Sequence, residues 1–132
     1  MDVVIDTSAV IAVILGEPER DALIDMTHGV QLMAPASLHW EVGNALAAMF
    51  RRGRIDLTQA NAALVLYRNI IIRFVDVELE NAVALAHQYN TYAYDAYMLA
   101  CALRYNNPLL SLDARFNTTA RAAGITVMEV AP

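Results

Sequence analysis

The chain has no lysine, and all nine of its basic residues are arginine. A P-loop, a Schiff-base enzyme and the lysine-dependent phosphoacceptor site of a receiver-like domain each need an ammonium group, so all three are excluded. Glycine is scarce too. The five, at 16, 29, 43, 53 and 124, never form GxGxxG, which leaves a dinucleotide-binding turn without support. A lone cysteine, Cys101, has no partner for a disulfide or a zinc site and reads as a small buried helix residue. The histidines, His28, His39 and His87, lack HExxH or any other ligand spacing and read as surface or half-buried. Long apolar runs are also missing. The longest, Ala9 to Leu15, falls far short of the ~20 residues that cross a bilayer. Met1-Asp2 leads into a strand without a basic signal-peptide region, so a cytoplasmic protein with no membrane contact is expected.

What the chain does have is apolar surface. The hydrophobic share is 58% and mean hydropathy is +0.38, above the ~45–50% usual for a soluble domain. At 132 residues one domain, 1–132, can bury roughly two-thirds of its unfolded surface. The apolar excess is expected to meet a partner. The formal net charge of -5, taken alone, argues against a polyanionic one.

Val3-Val4-Ile5 are three consecutive β-branched residues without alternation, the pattern of a strand buried on both faces. Asp6-Thr7-Ser8 then lead into a helix that stops at Gly16, with Thr7 or Ser8 as its cap. Pro18 starts a second helix running to about Gly29, and Gln31 to Met33 form a short strand. Ser37 to Arg52 are a long helix closed by Gly53, with Leu38, Val42, Ala45 and Met49 as its buried stripe and Glu41 at the edge of that stripe. Thr58 caps a helix through about Ile70; Arg73 to Val77 are a third strand, and a helix begins near Glu78. Tyr94 to Asn106 are helical, Leu109 to Leu112 a strand after Pro108, Asp113 to Gly124 a capped helix and Thr126 to Val130 the last strand. A helix-length crossover before every strand makes the sheet parallel. The fold class is therefore α/β, a parallel doubly wound sheet of about five strands with helices on both faces.

Parallel topology brings acids at strand ends to one edge. Asp6 and Asp113 each follow a strand, Glu41 borders an apolar helical stripe, and Asp95 heads the stripe Met98, Leu99 and Ala102. Singly, the aspartates read equally well as helix caps and Glu41 as a half-exposed helical residue. Together they need a counterion: two carboxylates ~4 Å apart repel by on the order of 4 kcal/mol at an effective dielectric of 20. A proton, an arginine or a divalent cation answers that need, and an all-oxygen site suits Mg²⁺ or Mn²⁺.

Four motifs in this order carry a resemblance that covers essentially the whole chain: the first strand with Asp6-Thr7-Ser8, Glu41-Val42-Gly43-Asn44-Ala45-Leu46, Tyr94-Asp95-Ala96-Tyr97, and Ser111-Leu112-Asp113-Ala114-Arg115-Phe116. The chain resembles the PIN-domain ribonucleases, in particular the toxins of VapBC-type toxin-antitoxin pairs. The resemblance implies an Mg²⁺- or Mn²⁺-dependent endoribonuclease with Asp6, Glu41, Asp95 and Asp113 as its catalytic acids. Asp6 and Asp95 would be the principal metal ligands, Asp113 would complete the pocket, and Glu41 would hold metal-bound water. Ser8, Asn44 and Ser111 would hydrogen-bond around them. Ser111 stands where threonine is commoner, and Ala114 and Arg115 follow Asp113 in place of a further acid for a second ion. The implied partners are RNA, a cognate antitoxin protein and a second copy of the chain.

The charge objection shrinks once the four site acids are set aside, because ten acids then face nine arginines. RNA contact falls to the dense cluster Arg51, Arg52 and Arg54, and to Arg115. The cluster reads equally as C-terminal helix-dipole partners. Tyr92, Tyr94 and Tyr97 around one helix start either stack on bases or pack together. Three rivals stand beside this reading. A non-catalytic PIN-like scaffold could replace its acids with apolar groups at lower cost. A stand-alone PIN nuclease in RNA processing would lack the antitoxin gene beside it. A Mg²⁺-dependent phosphatase commonly uses DxD after its first strand, where this chain has Asp6-Thr7-Ser8.

Overall fold

The computed structural model of the chain describes residues 1–130; residues 131 and 132, the end of the expected domain, lie outside the described residues. Strand β1 (Asp2–Ile5) is followed by helices α1 (Thr7–Ile14) and α2 (Arg20–Met26), strand β2 (Gln31–Pro35), and helices α3 (Ser37–Arg51) and α4 (Leu57–Asn69). Strand β3 (Ile72–Val75), helices α5 (Leu79–Tyr89) and α6 (Ala93–Tyr105), strand β4 (Leu109–Leu110) and helix α7 (Ala114–Ala122) complete it. The sheet runs β3-β2-β1-β4 with every pair parallel. Val3, Val4 and Ile5 are all buried. Since successive strand residues point to opposite faces, both faces of β1 are covered.

The expected last strand, Thr126 to Val130, is reduced to a single bridge. Val127 pairs with Leu109, held by Leu109 N–H to the Thr126 carbonyl and Met128 N–H to the Leu109 carbonyl, each at 2.9 Å. Among the described residues the strands therefore number four, not the five expected. β4 also stops early, because Ser111 and Leu112 turn toward the serine hydroxyls described below. β3 starts at Ile72 and ends at Val75 instead of running on to Val77, and α2 covers only Arg20 to Met26 of the longer helix expected.

On α3 the fully buried residues are Leu38, Val42 and Leu46, while Ala45 and Met49 are only half-buried. The buried face thus follows i, i+4, i+8, and Ala45 is left at its margin. The cap of α4 is Asp56, not Thr58. Asp56 Oδ1 accepts from Gln59 N–H at 2.8 Å, and Gln59 Oε1 accepts from Asp56 N–H at 2.9 Å, a reciprocal capping box. Neither Thr7 nor Ser8 caps α1; the N-cap position is Asp6, whose side chain makes no cap bond.

Cys101 is fully buried, and burial pushes its thiol up to about 12. His28 and His87 are exposed and His39 is half-buried, as expected. Asp56→Ala should cost ~1 kcal/mol and lower the melting temperature by on the order of 4 °C. Thr58→Ala should change it by less than about a third of that, and differential scanning fluorimetry on the two variants separates the caps.

Candidate functional site

The strand order reverses between β1 and β4, and in parallel sheets ligands bind beyond the carboxyl ends of strands at such a reversal. The register pairs Ile5 with Leu110, so Asp6 and Ser111 leave the sheet side by side, with Asp6 N–H donating to the Leu110 carbonyl at 3.0 Å. The Asp6 side chain is 4% exposed. Its Oδ2 accepts from the Ser111 hydroxyl at 2.7 Å and the Ser8 hydroxyl at 2.9 Å. Each hydroxyl has one proton, so when both donate to Asp6 their 3.1 Å contact carries none. The serine oxygens accept in turn from the chain after β4: Leu112 N–H donates to Ser8 Oγ at 2.9 Å and Asp113 N–H to Ser111 Oγ at 3.1 Å.

Helices bring in the other acids. Glu41 comes from the second turn of α3, and Asp95 from the first turn of α6, where its Oδ2 accepts from the Thr91 hydroxyl at 3.1 Å. Asp113 caps α7, its Oδ1 accepting from Phe116 N–H at 3.1 Å. Asp6, Glu41, Asp95 and Asp113 line one open cleft of about 530 Å³ together with Ser8 and Asn44. Glu17 and Glu19 line it as well. Sequence reasoning missed these two; their only signal is a pair of acids flanking Pro18 just after the short helix that Asp6 begins. No basic residue lines the cleft.

Burial and crowding set the electrostatics. Burial pushes the Asp6 carboxyl up; the Ser111 and Ser8 hydroxyls and the Thr7 amide oppose it, and Asp113 adds to it. Glu41 rises to about 7, first through burial, with the charges of Asp6 and Asp95 adding and the nearby Thr7 hydroxyl opposing. That hydroxyl does not complete a bond, since Thr7 Oγ1 and Glu41 Oε2 are both buried without a hydrogen-bond partner. Asp95 rises through burial, is lowered by Thr91, raised by Asp6 and Asp113, and lowered again by Arg115.

An orphaned carboxylate oxygen in a wholly oxygen donor set, with no cation lining the cleft, fits a hard divalent ion. Among the described residues no three His, Cys, Asp or Glu side chains gather into a ready ligand group. The open arrangement therefore suits an ion that keeps several waters, as Mg²⁺ does. Arg51, Arg52 and Arg54 line no part of the cleft. They are exposed at the far end of α3, with Arg52 ~16 Å along the helix from Glu41. Arg115 instead lines a neighbouring cavity.

The PIN domain family model matches residues 3–122. No curated protein matches the sequence. Among solved structures, PAE2754 from Pyrobaculum aerophilum superposes with a TM-score of 0.68 at 20% identity, over 90% of this chain and 87% of that one. SSO1118, a PilT N-terminus domain protein from Sulfolobus solfataricus P2, gives a TM-score of 0.46 at 18% identity over 98% and 87%. The chain belongs to the PIN domain family, whose members are generally nucleases that use divalent metal ions.

The raised carboxyls carry a pH signature. Asp6, Glu41 and Asp95 all bind protons more tightly folded than unfolded, so their contribution is fully present below the ordinary carboxylate range. It is lost as pH rises, for Glu41 between about 4.5 and about 7. Without divalent ions the chain should melt at a higher temperature near pH 5 than near pH 7.5. Millimolar Mg²⁺ should raise the pH 7.5 value more than the pH 5 value. An ion-free melting temperature that climbs over that interval would contradict the cluster's electrostatics.

Proposed function

We propose that this PIN domain is an Mg²⁺- or Mn²⁺-dependent endoribonuclease, the toxin of a VapBC-type pair acting in the cytoplasm. The observation that carries this reading is the single cleft at the sheet reversal, lined by Asp6, Glu41, Asp95 and Asp113 and by no basic residue. Asp6, Asp95 and Asp113 would hold the ion. Bound there, a divalent ion supplies Lewis acidity toward the phosphate and makes water a nucleophile near neutral pH.

The chain's own groups do the positioning. Ser8 and Ser111 fix the Asp6 carboxylate by two hydrogen bonds, so it does not reorient when charge arrives. Glu41 lines the cleft, where its carboxylate would accept a hydrogen bond from the attacking water and aim it. Asn44, which lines the same cleft, would hydrogen-bond around the acids through its amide.

The proposed partners are an antitoxin and a second copy. An antitoxin arginine inserted in the cleft would neutralise carboxylates that form no ion pair among the described residues. Exposed apolar side chains, with Trp40 at 69% and Ile71 at 84%, support a protein-covered surface. No helix among the described residues is long and apolar enough to cross a membrane.

Cleavage through the 2'-hydroxyl uses a base and an acid, often histidine, and no histidine lines the cleft. In-line attack by water leaves a 5'-phosphate and a 3'-hydroxyl. RNA cleavage should vanish in chelator, return with Mg²⁺ or Mn²⁺, and fall by at least about a hundredfold in Asp6→Asn with the fold unchanged by circular dichroism. A 2'-deoxy nucleotide before the scissile bond should still be cut. End-group analysis checks the chemistry: 2',3'-cyclic phosphate products would mean that the four-acid mechanism is wrong.

A further inference from the structure

A second cavity, of about 320 Å³, adjoins the acidic cleft and shares Asp95 and Asp113 with it. Its size sits at the lower end of small-ligand sites, ~300–1,000 Å³. Its other walls differ in kind from those of the cleft. They include Arg115, Thr119 and three aromatic rings, Tyr89, Tyr92 and Phe116, the last of them buried in the core. Arg115 is exposed and forms no ion pair or side-chain hydrogen bond among the described residues. Of all the residues lining the two cavities it is the only basic one.

Tyr92 is the N-cap residue of α6 and is 83% exposed. The three tyrosines around this helix start divide: Tyr94 and Tyr97 pack edge to face at 6.2 Å, whereas Tyr92 meets no ring among the described residues. Asn90, in the left-handed conformation at φ 49°, ends α5 and turns the chain into this wall. The next residue, Thr91, ties the wall to the acids through its hydrogen bond to Asp95. A single cation beside acids and a free aromatic face match one phosphate and one base. The same surroundings offer an apolar peptide little.

We propose that this cavity holds one unpaired nucleotide of the RNA next to the scissile phosphate, with Arg115 on its phosphate and Tyr92 stacked on its base. The inference rests on the nuclease reading and adds which residues of this chain, outside the acidic cleft, seat the nucleotide beside the cut. A base inside a duplex has no face free for Tyr92, while an unpaired one does. The guanidinium suits phosphate through its planar fork of donors.

The probe is a fluorescein-labelled RNA of about twelve nucleotides with one 5-iodouridine, used single-stranded and annealed to its complement. With the full chain in Mg²⁺, ultraviolet irradiation should cross-link the single strand at Tyr92, mapped by peptide mass spectrometry. By fluorescence anisotropy Tyr92→Ala should weaken binding of the single strand about tenfold, and Tyr92→Phe, which keeps the ring, should restore most of it. Arg115→Ala should also weaken binding about tenfold and lower the slope of log affinity against log salt by about 0.7, a slope that Tyr92→Ala leaves alone. Arg68→Ala removes the same charge from a residue lining neither cavity and should do neither. The duplex should bind at least about tenfold more weakly than the single strand. Equal affinity for duplex and single strand, or unchanged affinity in folded Tyr92→Ala and Arg115→Ala, overturns the proposal even if the RNA is cut. So does a loss of affinity in those variants confined to a protein partner. Binding and cross-linking as described, without any cleavage by the unaltered chain, would retain the subsite and overturn the nuclease reading.

Discussion

Everything in the site hangs on one buried carboxylate. Asp6 is 4% exposed at the end of a central strand, in a cleft that no basic residue among the described residues lines. Removing a charge from water costs several kcal/mol unless something answers it. Here two serine hydroxyls do so in part, and they come from opposite ends of the sequence. Ser8 belongs to the helix Asp6 begins, while Ser111 arrives only when β4 has paired with β1. The same two hydroxyls accept the N–H groups of Leu112 and Asp113. They thereby fix the path into α7 and bring Asp113 to the cleft. Local helix entry, long-range strand pairing and the acid cluster are thus one network.

This network also marks how far the sequence could be read. The first strand and Asp6 were legible because a both-face-buried strand leaves no alternation, so Val3-Val4-Ile5 admits few other readings. Asp95 on α6 and Asp113 at the start of α7 were legible from apolar periodicity and cap chemistry. Parallel topology then brought the acids together. What pattern alone does not contain is register and the competition for hydrogen bonds. Ser111 and Leu112 read as strand by apolar continuity, yet their polar atoms are committed to Ser8, Asp6 and Asn117, so the ladder ends at Leu110. Thr126 to Val130 has strand composition but meets β4 where only two residues remain in the ladder, which leaves room for one bridge. Asp56 displaced Thr58 as a cap because Gln59 could reciprocate three residues on, and that pairing was available in the sequence. Glu17 and Glu19 carried no periodic signal at all; they belong to the cleft through the turn after α1.

An acidic chain with no lysine has to solve a separate problem if its substrate is a polyanion. The arginines of this protein are not gathered on one face of the cleft. Arg51, Arg52 and Arg54 close α3, Arg73 pairs with Asp2, and Arg121 pairs with Glu129. Arg115 lines the cavity beside the acids and has no such partner among the described residues. Its charge lowers Asp95 slightly while burial and neighbouring acids raise it. One guanidinium against six cleft carboxylates cannot attract RNA by long-range field. Attraction has to be local and has to wait for the acids to be neutralised. On that logic Asp6, Asp95 and Asp113 would hold an ion whose charge also offsets the repulsion that these carboxylates exert on the phosphate.

The same arithmetic weighs against a fold that merely holds a partner. Glu41 has a buried oxygen with no hydrogen bond and a carboxyl driven to about 7. Asp6 and Asp95 are raised beside it. Each of these is a local loss, because a hydrophobic group of similar volume at a buried position is often neutral or stabilising where a charge is not. A binding scaffold whose partner covers only the rim of the cleft gains nothing from that loss. A site that must bind a divalent ion does gain, since the desolvated, mutually repelling oxygens are relieved by the ion and hold it correspondingly tightly. On the proposed reading, the raised carboxyls of Asp6, Glu41 and Asp95 would be the unliganded side of an equilibrium whose other side is the ion-bound nuclease.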